Sequence, residues 1–434
     1  NRRGKACYEG YLNDRVVPIP ELLQDAGYRT YMAGKWHLGA APEHSPAARG
    51  FDRSFDLIHG SGSHFPNVPV TLYREDGEPV DSLPDDFYST EFYTDKLIEY
   101  IEESRASGAP WFGYLAYTSP HWPLQVPSDW RDRYAGDYDE GYDSVRLERI
   151  ERAFEQGVIS SQAIDMPATA FARRWADLNP DERRQYARAM EIYASMVENL
   201  DHHVGRLVDY LESTGQRGDT VIVFMSDNGA ENFDLDYADR APRKPASVNN
   251  ALENFGNPDS FILYGPGWAQ AGMGPYSRHK GTLADGGIRA AALINHNSVA
   301  DRGETEDTLL TVRDLSATLL DIAGAQHPGG SEFASLEGVS FLPLLTGSNT
   351  DPADRLLFWE HDGQVALVQG GWKYRRLESP HGPSGAAPGW QLFNLIEDPG
   401  ETTDVSDQHP ELVAEFSDAW ADLVSAGEMI VYPE

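Results

Sequence analysis

The sequence predicts an α/β protein with a mixed, mostly parallel sheet sandwiched by helices, followed by a small α+β domain of antiparallel strands and one helix. Up to about residue 347, short segments rich in β-branched and aromatic residues alternate with longer segments of helical apolar spacing, a pattern typical of parallel α/β sheets. After that point, short apolar segments separated by Gly and Pro precede a single helical segment. We therefore expect a large domain over 1–347 and a small domain over 348–434.

The elements of the large domain follow from these patterns. Segments too short for helices, with the composition of strands covered on both faces, predict strands at 28–33, 111–117, 220–225 and 288–294. Apolar residues recurring every three or four positions predict helices at 90–107, from Asn179-Pro180 to Gly215, and at 311–323.

The small domain begins after a polar, turn-rich stretch at 346–352, which is typical of a domain boundary. Its strands are predicted at 356–359, 365–369, 372–375 and 390–395, and its helix at 410–426. These elements together predict a small antiparallel sheet closed by one helix.

The charge balance excludes several classes of partner. The chain has 35 basic and 69 acidic side chains, a net charge of −34. Such a protein repels nucleic acid, heparin and anionic membranes, so we expect no nucleic-acid or membrane partner. No run approaches the roughly 18 apolar residues of a membrane span. The single cysteine, Cys7, excludes internal disulfides and Cys-rich zinc sites.

Polar residues follow the predicted strands of the large domain, where α/β sheets bind their ligands. Lys35 and His37 follow the first strand and, if the backbone stays extended, point to the same side. The others are His121 after the second strand, Asp227 and Asn228 after the third, and Lys280 before the fourth. We expect these six to converge, because two lysines, two histidines, a carboxylate and an amide suit a tetrahedral oxyanion beside a hard cation.

Five separated motifs resemble signatures of the type I sulfatases, the formylglycine-dependent branch of the alkaline phosphatase superfamily. They are G-Y-R-T-Y-M-A-G-K-W-H-L-G (27–39), S-P-H-W-P-L (119–124), F-M-S-D-N-G-A-E (224–231), K-G-T-L-A-D-G-G-I-R (280–289) and L-F-N-L-I-E-D-P-G-E (392–401). Further stretches are similar to the bacterial arylsulfatases of the pseudomonad type. The resemblance implies an alkaline phosphatase-like fold and hydrolysis of a small sulfate ester by a soluble protein of the bacterial cytoplasm or periplasm.

The resemblance also implies roles for the converging residues. Asp227 and Asn228 match two ligands of a Ca²⁺ that polarises the sulfate oxygens, with Mg²⁺ less favoured. Lys35 matches the lysine that contacts both nucleophile and sulfate. The remaining matches concern the leaving-group side and the nucleophile: Lys280 steadies sulfate and the leaving oxygen, His121 lies at the leaving-group side, and His37 holds the formylglycine hydroxyl.

One departure from the family pattern concerns the nucleophile. No Cys or Ser stands in a Cys/Ser-x-Pro-x-Arg context, and Cys7 is therefore not nominated. The family has two further metal ligands, adjacent aspartates that precede the Lys35 motif. The adjacent pair Asp85-Asp86 follows that motif instead, so we interpret the pair as a solvated turn. Because Asn1 is not an initiator Met, we expect a longer natural sequence that carries the formylglycine motif, the two aspartates and the first strand of the sheet upstream. The 434-residue chain alone is expected to be inactive and weak in calcium binding.

Two alternatives remain open beside the sulfatase hypothesis. One is a phosphonate or phosphodiester hydrolase of the same superfamily, although Asn228 disfavours a two-metal phosphatase. The other is a non-catalytic homologue that binds sulfoconjugates, which the retention of both lysines and both histidines disfavours. The sequence leaves the natural substrate, the compartment and the oligomeric state undetermined.

Overall fold

The computed structural model describes residues 8–66, 72–159, 171–235, 237, 247–299, 303–347, 355–377 and 389–426. Its larger sheet has five strands in the order β4-β3-β2-β1-β5. They are β1 Arg29–Lys35, β2 Arg53–Leu57, β3 Tyr73–Glu75, β4 Glu78–Pro79 and β5 Trp111–Ala116. The central strand β1 pairs in parallel with β2 and β5, whereas β3 and β4 add antiparallel strands at one edge. The predicted mixed sheet is thus confirmed, with its parallel pairings at the central strand β1.

Helices α1 and α2 pack against β1 of this sheet, and α4 packs against α2. The helices of the described part of the chain are α1 Ile19–Asp25, α2 Ser89–Arg105, α3 Tyr142–Glu155, α4 Pro180–Ser213, α5 Pro266–Met273, α6 Asp285–Ile288, α7 Val312–Ala323, α8 Leu342–Leu345 and α9 Pro410–Ser425. The long helix α4 begins at a capping box, in which Asn179 accepts from the backbone N–H of Glu182 and Glu182 accepts from that of Asn179. No helix in the described part of the chain is long and apolar enough to cross a membrane.

The third predicted strand lies apart from the five-stranded sheet. It forms β6, Ile222–Met225, and pairs antiparallel with β7, Ala292–Asn295. The strand expected at 288–294 therefore starts too early, because Ile288 completes the short helix α6. Among the described residues, β5 pairs only with β1, and β6 only with β7. A cavity of about 2290 Å³ lies between β5 and β6 and is lined in part by α4 and α7.

The C-terminal region forms the predicted antiparallel sheet. Its order is β11-β10-β9-β8, with β8 Leu357–His361, β9 Gln364–Gln369, β10 Trp372–Arg376 and β11 Gln391–Asn394. Helix α9 covers it, with Phe416 in a core of Leu367, Tyr374 and Leu392. We expected the domain boundary between residues 347 and 348. Residues 348–354 lie outside the described part of the chain, so this boundary stays a prediction.

Candidate active site

Lys35 reaches the cavity because of the backbone that precedes it. Gly34 has a φ of 122°, and a Cβ there would lie 2.0 Å from the carbonyl oxygen of Ala116 on β5. Only glycine allows the two strands to approach this closely. Lys35 then ends β1 and lines the cavity. Burial lowers the pKa of Lys35, the nearby charge of Lys280 acts in the same direction, and Asp227 opposes both.

His37 occupies a different position from the one that alternation along a strand predicts. Strand β1 ends at Lys35, and His37 has a φ of 56°, in the left-handed region. The premise of an extended backbone is therefore wrong. The His37 ring lies against Gly60, where an added Cβ would be 2.5 Å from Cε1. His37 itself is exposed and is not among the described residues that line the cavity, although Gly60 is.

His121 is held as a neutral imidazole with a defined tautomer. Its Nδ1 lies 2.8 Å from the carbonyl oxygen of Trp122, and a carbonyl only accepts, so Nδ1 carries the proton. The other nitrogen, Nε2, lies 3.5 Å from Lys280 Nζ and can accept from the ammonium. Burial, reinforced by the charges of Lys280 and Lys35, lowers the pKa of His121 to about 3.

A second histidine fixes the backbone at this position. The fully buried His64 donates from Nε2 to the carbonyl oxygen of His121 over 3.0 Å, and its Nδ1 accepts from Ser89 Oγ over 2.8 Å. Burial lowers the pKa of His64 to about 4. Helix α2, which contains Ser89, is thereby connected to the loop that presents His121.

Lys280 lies between a carboxylate and an imidazole. Its Nζ is 3.3 Å from Glu231 Oε2 as well as 3.5 Å from His121 Nε2. Its backbone N–H donates to the carbonyl oxygen of Ala230 over 3.0 Å, so the Lys280 loop lies directly beside the segment after β6. Glu231 therefore both balances the charge of Lys280 and orients its ammonium toward His121.

Asp227 and Asn228 follow β6 and line the same cavity. Their carboxylate and amide oxygens have the chemistry that Ca²⁺ or Mg²⁺ requires. In the described part of the chain, however, no group of three or more His, Cys, Asp or Glu side chains could hold a metal ion. Ca²⁺ takes six to eight oxygen ligands, so this pair suits a hard cation but supplies only part of a complete site.

Five of the six predicted residues line one cavity, Lys35, His121, Asp227, Asn228 and Lys280. Sequence reasoning did not identify Glu231 or His64 as neighbours of these residues. Glu231 could have been noticed, because it ends the F-M-S-D-N-G-A-E motif. Nothing in the sequence singles out His64, whose partners are 25 and 57 residues away.

The residues interpreted as lying outside the site can be placed as well. Asp85-Asp86 lies in an exposed turn between β4 and α2, as expected. Cys7 lies outside the described residues.

The site and fold agree with the chain's similarity to known proteins. A family model described as Sulfatase matches residues 5–325. An uncharacterized sulfatase of Schizosaccharomyces pombe is 38% identical over 438 residues, covering 96% of this chain and 78% of that protein. An arylsulfatase of Klebsiella aerogenes is 38% identical over 330 residues, covering 74% of this chain and 70% of that protein.

Solved structures share the fold at lower identity. Ps i-CgsB, in complex with k-i-k-neocarrahexaose, matches with a TM-score of 0.63 and 21% identity, over 95% of this chain and 76% of that chain. A phosphonate monoester hydrolase from Silicibacter pomeroyi matches with a TM-score of 0.56 and 19% identity, over 95% and 80%. These likenesses show the fold, whereas the family match and the two closer relatives carry the assignment: the chain belongs to the sulfatase family.

Proposed function

We propose that this protein hydrolyses sulfate esters to inorganic sulfate and an alcohol or phenol, as an arylsulfatase. The observation that carries the proposal is the pairing of Lys280 Nζ with His121 Nε2, 3.5 Å apart, on a cavity that Lys35 also lines. Two ammonium groups and a neutral imidazole form an anion site with a proton acceptor at one side. Membership in the sulfatase family supports sulfate as that anion.

Different residues of the chain have different roles in such a reaction. Lys35 and Lys280 bind the non-bridging sulfate oxygens and stabilise the negative charge that grows as the ester S–O bond breaks. The Lys280 ammonium donates to the leaving oxygen, and the Nε2 lone pair of His121 holds that ammonium in place beforehand. The Trp122 ring, 4.7 Å from the His121 ring, offers an apolar surface to an aryl leaving group.

Two further components belong to this proposal. We propose that Asp227 and Asn228 hold a divalent cation, Ca²⁺ in preference to Mg²⁺, which would neutralise sulfate charge as a Lewis acid. We also propose a formylglycine nucleophile, as the family resemblance implies. None of the 434 residues has the Cys/Ser-x-Pro-x-Arg context, so the 434-residue chain on its own is expected to show no turnover.

The direct test uses the protein expressed from its complete gene. We expect 4-nitrophenyl sulfate to be hydrolysed faster than 4-nitrophenyl phosphate or an aryl phosphonate, and peptide mass spectrometry to find formylglycine. Binding of sulfate esters without turnover would instead support a non-catalytic homologue. A complete gene lacking the Cys/Ser-x-Pro-x-Arg motif would contradict the mechanism.

Replacing Lys35 or His121 by Ala in the complete protein should lower kcat for 4-nitrophenyl sulfate by about 10²–10³-fold, the usual effect of losing one preorganised donor or proton-transfer group. Circular dichroism and the melting temperature should change little, because neither side chain belongs to an apolar core. The matched control is Lys96→Ala, which removes a lysine of α2 that pairs with Glu75 and Glu99, away from the cavity. Near-normal turnover in either site variant would show that the site is wrongly assigned.

A phosphonate or phosphodiester hydrolase is the second candidate function. The fold shared with a phosphonate monoester hydrolase favours it, because the same anion site accommodates a tetrahedral phosphorus. Faster cleavage of aryl phosphonates than of aryl sulfates by the complete protein would establish this alternative.

A further inference from the structure

We propose that Glu401, in the C-terminal region, is a positioning residue that fixes both ends of the loop carrying Lys280. The loop runs from Ser277 to Asp285. Glu401 Oε2 accepts from the Ser277 hydroxyl over 2.8 Å and from the backbone N–H of Asp285 over 2.8 Å. One carboxylate oxygen therefore holds the start and the end of the loop together.

The loop has little freedom between these two anchors. The backbone N–H of Gly286 donates to the carbonyl oxygen of Ser277 over 2.8 Å and closes the loop at its base. A Cβ at Gly286 would lie 2.2 Å from that carbonyl oxygen, and one at Gly287 would lie 2.1 Å from the carbonyl oxygen of Thr282. Because the backbone packs this closely, a shift at the base moves the whole loop, including Lys280.

The other oxygen of Glu401 connects the loop to the C-terminal sheet. Glu401 Oε1 lies 3.0 Å from both Lys373 Nζ and Arg375 Nη1 on β10. These two contacts are ion pairs, because neither has the angles of a hydrogen bond to Oε1. Lys373 Nζ also donates to Asp285 Oδ1 over 2.6 Å. Burial opposes the ionisation of Asp285, but Lys373 holds its pKa below the usual value.

A contribution to folding stability does not by itself explain the buried charged cluster of Asp285, Lys373, Arg375 and Glu401. The side chains of Lys373 and Glu401 are 0% exposed, and burying ion pairs costs desolvation energy that apolar side chains would avoid. Glu401 also has a φ of 51°, a conformation that is strained for a residue with a side chain. Strain and buried charge at one residue are consistent with a role in fixing geometry, and the geometry that Glu401 fixes is that of the Lys280 loop.

Lys280 depends on that geometry for its contacts. It lies three residues after Ser277 and five before Asp285, and its Nζ meets Glu231 and His121 at 3.3 and 3.5 Å. A small displacement of the loop breaks contacts at these distances. We therefore infer that the C-terminal region sets the position of the Lys280 ammonium although it contributes no residue to the cavity lining in the described part of the chain.

The test compares Glu401→Gln with the wild type by competitive acetylation of lysines, quantified by mass spectrometry on the complete protein. The amide keeps the size of the side chain, but it removes the carboxylate that pairs with Arg375 and leaves Lys373 paired with Asp285 alone. Lys280 should become more reactive by about threefold or more relative to Lys96 in the same molecule, because local opening exposes it. Lys96 lies on α2, pairs with Glu75 and Glu99 away from the cavity, and serves as the internal reference.

Two further variants complete the design. Ser277→Ala removes one anchor while the buried charges stay paired, so it should shift the Lys280/Lys96 ratio in the same direction even if Glu401→Gln folds poorly. Glu397→Gln changes an exposed glutamate of the same turn and should leave the ratio unchanged. An unchanged ratio in Ser277→Ala, or in folded Glu401→Gln, would overturn the proposal.

This inference rests on the proposed function only for the importance of Lys280. In the complete enzyme, Ser277→Ala should lower kcat for 4-nitrophenyl sulfate more than it changes KM, and Glu397→Gln should alter neither. Because acetylation does not require turnover, an inactive protein with the predicted labelling would refute the proposed function and leave the positioning role intact.

Discussion

His121 and Asp56 are buried titratable residues whose surroundings move their pKa values in opposite directions. Burial and two neighbouring lysines lower the pKa of His121 to about 3, so the ring stays neutral at physiological pH. Burial raises the pKa of Asp56 to about 7, although the charge of Arg74 acts in the opposite direction. Both carboxyl oxygens of Asp56 are buried without a hydrogen-bond partner in the described part of the chain.

Asp56 makes a testable contribution to the pH dependence of stability. Its folded pKa lies above the unfolded value of 3.8, so between those two values the folded state binds more protons. The Asp56 contribution therefore decreases as the pH rises from about 4 to 7 and is constant above that range, by about 1.4 kcal/mol for each pH unit in between. Relative to wild type, Asp56→Asn should gain stability progressively as the pH rises from 4 to 7, measured by urea unfolding at each pH.

The control for Asp56 is Asp418→Asn, an exposed carboxylate on α9. Its stability difference from the wild type should not vary with pH between 4 and 7. A difference for Asp56→Asn that is equally flat would contradict the raised pKa.

Among the secondary-structure elements, the long helices could be predicted from the sequence more reliably than the short strands. The Asn179-Pro180 start and the apolar period predicted α4, because both signals are local. Strand β2 was missed. Its sequence R-S-F-D-L has no β-branched residue, and its strand conformation depends on pairing with β1, where Tyr31 faces Arg53. The end of β1 at Lys35 also depends on tertiary structure, and for that reason the extended backbone assumed at His37 is not found.

The capping box of α4 should contribute measurably to stability. Asn179→Ala removes the side chain that accepts from the backbone N–H groups of Asp181 and Glu182 and should cost about 1 kcal/mol in urea unfolding. Asn179→Asp keeps an accepting oxygen at the positive end of the helix and should cost much less. Equal losses in the two variants would show that the cap is not what Asn179 contributes.

The whole molecule combines a strongly acidic chain with a cavity that two lysines line, which we propose binds an anion. The net charge of −34 repels an anionic substrate at long range, while Lys35 and Lys280 attract it inside the cavity. Salt screens the first effect more than the second, because the Debye length is about 8 Å at physiological ionic strength. We therefore expect a small monosulfate to be a better substrate than a heavily sulfated polymer.

This balance predicts an unusual salt dependence. For the complete enzyme, kcat/KM for 4-nitrophenyl sulfate should increase by about two- to fivefold when NaCl rises from about 10 to 150 mM, because surface repulsion is screened. A polysulfated oligosaccharide should show a steeper increase. The uncharged osmolyte sucrose at matched osmolality is the control, and a kcat/KM that falls with NaCl would contradict the argument.

Local sequence patterns were enough to predict the fold class, the C-terminal sheet and five residues that line the cavity. These features depend on local composition, apolar period and motifs, which lie within a few residues of one another. The tautomer of His121, the pairing of Lys280 with Glu231, the hydrogen bond from His64 and the contacts of Glu401 with the Lys280 loop became visible only in the folded chain. Each of these depends on contacts between distant residues, such as His121 and Lys280, 159 positions apart, and no local pattern encodes which buried groups meet.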